Sequence, residues 1–276
     1  AYHGARPDIV IIEAFPFGRR QVRFELLPLL DEIEDSEPRP LVMTSLRDIL
    51  QERAKPGRDE ETVSLVKKHF DAVLVHGDPQ FVRLEDTFPL ADQIRQRVVY
   101  TGLVAPLPPP PPSEQFDIVV SAGGGAVGAA LIHAALEAAP KVEGIKSWCL
   151  ITGPNMPQAD FEAISAKAGD TVSVFRFRKD FASLLSGARL SISQAGYNTV
   201  CDVLQAKCRS LLIPFAAGGE TEQGARAERL EKLGLAHVLQ EAEISGQSMA
   251  DAINKALALP APDQIALDLD GAAGTA

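Results

Sequence analysis

The sequence predicts an α/β protein with parallel sheets, divided into two blocks. Three observations predict it. Short β-branched runs alternate with helical patterns along the chain, as when strands are joined by helical crossovers. Gly123-Gly124-Gly125-Ala126-Val127-Gly128 stands between such a run and a helical pattern, the context of a tight ligand-binding turn. A proline tract, Pro106 and Pro108 to Pro112, separates the blocks as a semi-rigid extended spacer of about 3.1 Å per residue.

The first block, residues 1–104, predicts strands at Asp8–Glu13, Leu41–Thr44, Ala72–Val75 and Val98–Thr101. Each is a short apolar run rich in Ile, Val or Leu. Helical patterns lie between them at Arg23–Glu34, Glu60–His69 and Leu90–Arg95. In Arg23–Glu34, for example, Leu26, Leu30 and Ile33 recur at helical spacing. Residues 105–115 are the linker. The second block, residues 116–276, predicts strands at Asp117–Ser121, Ser147–Thr152, Val172–Phe175, Leu190–Ser193, Ser210–Pro214 and, weakly, Ala236–Leu239. Its helices are expected at Val127–Ala138, Gln158–Lys167, Phe181–Gly187, Tyr197–Ala206, Glu222–Leu233 and Met249–Ala258. Helices are expected on both faces of the sheets.

The chain has 276 residues, 46% hydrophobic and 23% charged, enough for one large or two modest domains. The net charge of -10 argues against a nucleic-acid partner, which needs a basic surface. Cys149, Cys201 and Cys208 have no metal-binding spacing and read as buried, reduced thiols, consistent with the cytoplasm. The five histidines form no metal motif, so no metal site is expected. Residues 1–6 carry no apolar leader segment. Residues 118–136 are uncharged for about the length of a bilayer span. The glycines at 123–125, with Ser121 and His133, favour a strand, a loop and a buried helix there.

The densest polar signals run from Arg189 to Ala236. A strand ends in Ser193-Gln194-Ala195-Gly196 and a helix follows at once with Asn198, Thr199 and Asp202. The strand ending at Pro214-Phe215 leads through a Gly-rich loop into a helix opening with Glu222-Gln223. Helix N-termini present unpaired N–H groups and partial positive charge, which suit phosphate. Acids and amides beside them suit sugar hydroxyls. Asn198, Thr199 and Asp202 share one helical face. Thr199 and Asp202 alternatively form an imperfect capping box, Thr221 is a plausible N-cap, and Glu222 in a first turn suits the helix dipole.

Two other chemistries are disfavoured. The glycine motif satisfies G-x-G-x-x-G, yet the next strand ends in Thr152-Gly153 with no acid for a dinucleotide ribose. Ser193 lacks the glycine that precedes a hydrolase nucleophile, since Ser191 stands there. In the first block, Glu13 ends a strand and is the candidate base for an acceptor hydroxyl, with Arg19 and Arg20 as candidate contacts for acceptor phosphate. Arg47-Asp48 and His76-Gly77-Asp78 end the next two strands and are weaker candidates.

Ser193, Ala195-Gly196, Thr199, Asp202, Pro214-Phe215 and Glu222-Gln223 resemble the carboxyl-terminal domain of family 28 glycosyltransferases. The likeness extends more weakly back to Phe116, and Pro16 to Arg20 and Ser45 to Asp48 are similar to a bacterial group of predicted glycosyltransferases. The resemblance implies the GT-B fold, two Rossmann-like domains facing across a cleft. It also implies an amino-terminal domain opening with a strand and a Gly-rich loop. Nothing here matches that loop, so the first block reads as incomplete. The implied activity is transfer of a sugar from a nucleotide-diphosphate donor, such as a UDP-sugar, to an acceptor hydroxyl, inverting and without metal or other cofactor. The implied donor site takes in Gly123, Gly124, Gly125, Ser193, Gln194, Gly196, Asn198, Thr199, Asp202 at the ribose, and Glu222 and Gln223 at the sugar. Arg176, in Phe175-Arg176-Phe177-Arg178, falls in the loop that closes over the base in relatives. A lipid-linked or glycan acceptor implies peripheral membrane contact. A nucleotide-sugar epimerase or hydrolase, or a non-catalytic nucleotide- or glycan-binding protein, are the alternatives.

Overall fold

A computed structural model describes residues 2–51, 55–123 and 128–276. The chain forms two compact units, residues 1–104 with 267–276, and residues 105–266. The last ten residues therefore do not group with the second block, where the sequence placed them. They are held by backbone bonds that carry no periodic signal. The Leu103 N–H donates to the Asp268 carbonyl at 2.8 Å, the Gly271 N–H to the Leu103 carbonyl at 3.0 Å, and the Asp268 N–H to Asp78 Oδ2 at 2.8 Å.

The first unit opens with a single helical turn, α1 (Tyr2–Ala5), then runs β1 (Ile9–Glu13), α2 (Arg23–Glu34), β2 (Leu41–Arg47), α3 (Arg58–His69), β3 (Ala72–His76) and β4 (Val98–Tyr100). Its four strands pair in parallel in the order β1-β2-β3-β4. Every crossover advances in one direction, and right-handed crossovers then place each helix on the same face. Leu30 and Ile33 of α2 and Val63 and Val66 of α3 accordingly pack with Val42, Val73 and Val75 in one core. The alternate strand positions face away, and Ile9, Ile11 and Leu41 are about half exposed. Among the described residues, helices on both faces are thus not found for this sheet. The expected helix at Leu90–Arg95 is a 3₁₀ run, Ala91–Arg97.

The second unit contains β5 (Ile118–Ser121), α4 (Ala129–Ala138), β6 (Trp148–Ile151), α5 (Gln158–Lys167), β7 (Val172–Phe175), α6 (Phe181–Gly187), β8 (Leu190–Ser193), α7 (Tyr197–Gln205), β9 (Ser210–Leu212), α8 (Glu222–Lys232), β10 (His237–Val238) and α9 (Gly246–Ala258). Its six strands are parallel in the order β10-β9-β8-β5-β6-β7. The chain fills one half of the sheet from β5 to β7 and the other half from β8 to β10. The reversal puts helices on both faces. Residues of α4, α5 and α9 pack on Ile118, Val120, Leu150, Ile192 and Leu211, while α6 and α7 pack on Val119, Cys149 and Ile151. The uncharged stretch at 118–136 resolves into β5 and most of α4, and among the described residues no helix is long and apolar enough to cross a membrane.

Candidate functional site

In a sheet whose strand order reverses, ligands bind beyond the carboxyl ends of the two strands at the reversal. Here those strands are β5 and β8, whose last residues, Ser121 and Ser193, pair in register. The chain leaves β5 through Gly123, with φ +73°, a left-handed conformation that suits glycine. A Cβ on Gly123 would lie 3.1 Å from Gln194 Oε1, so the two turns touch. Gly128 is fixed by packing, because a Cβ there would come within 2.1 Å of the Ala122 Cβ, forcing α4 off β5. Gly124 and Gly125, both expected at the donor, lie outside the described residues.

The β8 end is prepared in a similar way. Ser193 is buried and its Oγ has no hydrogen-bond partner among the described residues. Gly196 is the N-cap of α7, with extended backbone and no side-chain capping bond. The nine residues of α7 bury Tyr197, Val200, Cys201, Val203 and Leu204, which fixes the helix to the core. Asn198 is then exposed, and Thr199 and Asp202 are half-buried. Because α7 starts at Tyr197, Thr199 is its third residue and not an N-cap, so the capping-box alternative does not hold. Burial pushes the Asp202 carboxyl above the usual carboxylate range.

The start of α8 differs from the expectation. Thr221 occupies the N-cap position but makes no side-chain capping bond. Glu220 does the work: its Oε1 accepts from the N–H groups of Glu222 at 2.6 Å and Gln223 at 3.2 Å. The start of α8 therefore already holds a carboxylate, whereas that of α7 holds none. The family resemblance implies that Gln223 lies at the donor sugar hydroxyls. Its Oε1 instead accepts from the N–H groups of Ala195 at 3.1 Å and Phe215 at 3.2 Å. Arg226, which the sequence reading missed, is buried and donates from Nη1 to the Ala195 carbonyl at 2.8 Å. An arginine three residues after Gln223 on an otherwise polar helix carried no signal that it points inward.

The structure thus gathers Gly123, Ser193, Gln194, Gly196 and Gln223 about the adjacent ends of β5 and β8, with Asn198, Thr199 and Asp202 on the helix leaving β8. Arg176 lies just past the end of β7, at the far edge of the sheet. Its guanidinium donates to the Met156 carbonyl at 2.7 Å and to Gln158 Oε1 at 2.5 Å, and sits 4.4 Å from the Phe161 ring centre. Arg178 is tied to Asp180 and Glu114, each at 2.8 Å, and these pairs raise its pKa. Phe177 between them is 64% exposed. Cys149 and Cys208 are buried thiols pushed up to about 12, inert at neutral pH.

In the first unit, Glu13 ends β1 and its Oε2 accepts from Arg19 Nη2 at 2.6 Å, both side chains more than half exposed. Ala14 and Arg19 are left-handed, with φ +65° and +48°, conformations that persist only where the surroundings hold them. Buried Phe15 and Phe17 anchor the loop between them. Arg20 and Arg23 share Glu61 at 2.7 and 2.8 Å, which lowers the Glu61 pKa. Asp78 accepts from the N–H groups of Gln80 and Asp268. His76 Nδ1 is 2.9 Å from Thr101 Oγ1, and burial lowers its pKa. Among the described residues no group of three His, Cys, Asp or Glu side chains is arranged to hold a metal.

Residues 118–264 match the glycosyltransferase family 28 C-terminal domain. A UDP-N-acetylglucosamine–N-acetylmuramyl-(pentapeptide) pyrophosphoryl-undecaprenol N-acetylglucosamine transferase of Geotalea uraniireducens is 28% identical over 138 residues, 49% of this chain and 38% of the relative. The chain spans well under half the length of the curated relatives it matches. The fold is similar to that of the calicheamicin glycosyltransferase CalG4, with a TM-score of 0.61 at 17% identity over 94% of this chain and 68% of that one. It is also similar to MurG of Acinetobacter baumannii, with a TM-score of 0.52 at 17% identity over 90% of each chain.

Proposed function

The chain belongs to glycosyltransferase family 28 through its C-terminal domain, and on that premise we propose that it transfers a sugar from a nucleotide-diphosphate donor to an acceptor hydroxyl. One observation carries the reading. The reversal of strand order brings the Gly123 turn against the Ser193–Gly196 turn, beside a helix start that no side chain caps. That edge offers N–H groups and the positive end of a helix dipole to the donor diphosphate. The same groups stabilise the charge on the leaving nucleoside diphosphate, so the step needs no metal.

Asp202 is assigned to the ribose hydroxyls, Glu222 and the Gln223 amide nitrogen to the sugar, and Phe177, the exposed aromatic at the β7 end, to the base. In the first unit, Glu13 takes the proton of the acceptor hydroxyl as it attacks the anomeric carbon, inverting it. Arg19 and Arg20 are assigned to an acceptor phosphate. The names of the curated relatives favour a UDP-sugar donor and a lipid-linked acceptor, and such an acceptor would bring the protein to a membrane surface.

A thermal-shift screen with UDP, GDP, TDP and CDP, each with and without EDTA, tests the proposal. At about 100 times the dissociation constant, the matching nucleotide should stabilise the protein by roughly 2.7 kcal/mol, unaffected by EDTA. No response to any of the four would refute it.

A further inference from the structure

We propose that Gln223 and Arg226 are positioning residues that together hold the Ala195–Gly196 turn, and with it the first N–H groups of α7, in the geometry that receives the donor diphosphate; the inference rests on the donor-site reading above. The two lie three apart on α8 and so share a face. They hold both polar groups of one residue: Gln223 Oε1 accepts the Ala195 N–H at 3.1 Å, and Arg226 Nη1 donates to the Ala195 carbonyl at 2.8 Å. Gln223 Oε1 also accepts the Phe215 N–H at 3.2 Å, joining the turn to the segment that follows β9. The Arg226 guanidinium lies 5.8 Å from the ring centre of Tyr197, the first residue of α7. Residues on either side of Gly196 are thus fixed by α8.

The turn has need of this. A Cβ at Gly196 would meet nothing within 4 Å, so its side-chain face is open, while its carbonyl accepts the Val200 N–H at 3.0 Å as the first bond of α7. An anion site made of backbone N–H groups works only when those groups are already aimed. Arg226 is 1% exposed. Burying a guanidinium is costly, and leucine or methionine would fill the core without that penalty. Donation from Arg226 Nη1 to a carbonyl beside an anion site gives this buried guanidinium a positioning role there.

The test is calorimetric titration of UDP, GDP, TDP and CDP, each against its own monophosphate, into the wild-type chain and the variants Arg226→Met, Arg226→Lys and Gln223→Leu. Wild type should bind one diphosphate more tightly than its monophosphate. R226M and Q223L should lose about tenfold of that preference, on the order of one hydrogen bond to a charged group, while monophosphate affinity changes little. R226K, which keeps a donor and the charge, should retain most of it. Equal losses for both ligands would mean a merely structural role, and an unchanged preference in the folded variants would mean the clamp positions nothing; either result overturns the proposal. If R226M fails to fold, Q223L decides, since Gln223 lies at a half-buried position. A wild-type chain that binds no diphosphate instead overturns the donor-site reading.

Discussion

The two units are built from the same parts and differ in how the chain orders them. The first unit lays β1 to β4 side by side in sequence, whereas the second reverses direction between β5 and β8. The reversal has two consequences. It covers both faces of the second sheet, while the first leaves Ile9, Ile11 and Leu41 about half exposed. It also sets the β5 and β8 turns side by side, and there the buried Ser193 hydroxyl has no hydrogen-bond partner among the described residues. At the strand ends of the first unit the polar groups are paired within the unit: Glu13 with Arg19, Arg20 with Glu61, and Asp78 with two backbone N–H groups. On the proposed function, the second unit would meet the donor with backbone groups and the first would meet the acceptor with side chains. Substitutions in the second should change donor affinity; those in the first should change turnover.

The largest expected effect follows from Glu13. E13Q should lower the transfer rate by about 10²–10⁴-fold, the usual contribution of a general base, with donor affinity unchanged. Steady-state kinetics alongside donor titration checks this, and a loss of affinity would break the division between units. Its cost in stability should stay below about 1 kcal/mol, because the Glu13–Arg19 pair is exposed.

Next comes Gly128→Ala. The new methyl would collide with Ala122, so thermal denaturation should show a loss of about 1–3 kcal/mol, and donor binding should fall with it. Wild-type binding by G128A would detach the crevice from the packing of α4 on β5. D202N should weaken nucleoside-diphosphate binding by about 1.5–3 kcal/mol, the range for a hydrogen bond to a charged group, when followed by calorimetry.

pH separates the units more gently. Burial lowers the pKa of His69 and His76 in the first unit, so the unfolded chain binds more protons than the native one. Their contribution is complete above the ordinary imidazole value of about 6.5 and is lost as pH falls below it. Asp202 has the opposite sign: its raised pKa makes the native state bind more protons, so its contribution declines as pH rises above the ordinary carboxylate range. Hydrogen exchange at pH 7 and pH 5.5 should show protection lost first in residues 58–76, and equal loss in both units would contradict this.

Most of the fold was legible, because apolar runs and helical spacing are local. Arg23–Glu34 and Phe181–Gly187 form where the pattern places them. The departures are nonlocal. The grouping of residues 267–276 with the first unit depends on backbone bonds to Leu103 and Asp78, which leave no trace in composition. The one-sided first sheet follows from strand order, which alternation alone does not determine. In the candidate site, the place of Ser193, Gly196 and Asp202 at a strand-to-helix junction was legible. Glu220 as the cap of α8 and Arg226 as an inward-facing clamp were not, since an acid before a helix and an arginine within one both read as surface residues.

On the proposed function, a donor diphosphate binds where the second sheet reverses. Hydrogen exchange of the full chain with saturating nucleoside diphosphate tests it most directly. The account predicts new amide protection in residues 121–123 and 194–199, with the strand ends at Glu13, Arg47 and His76 unchanged. Protection confined to those first-unit strand ends, with none at the β5 and β8 turns, would contradict it.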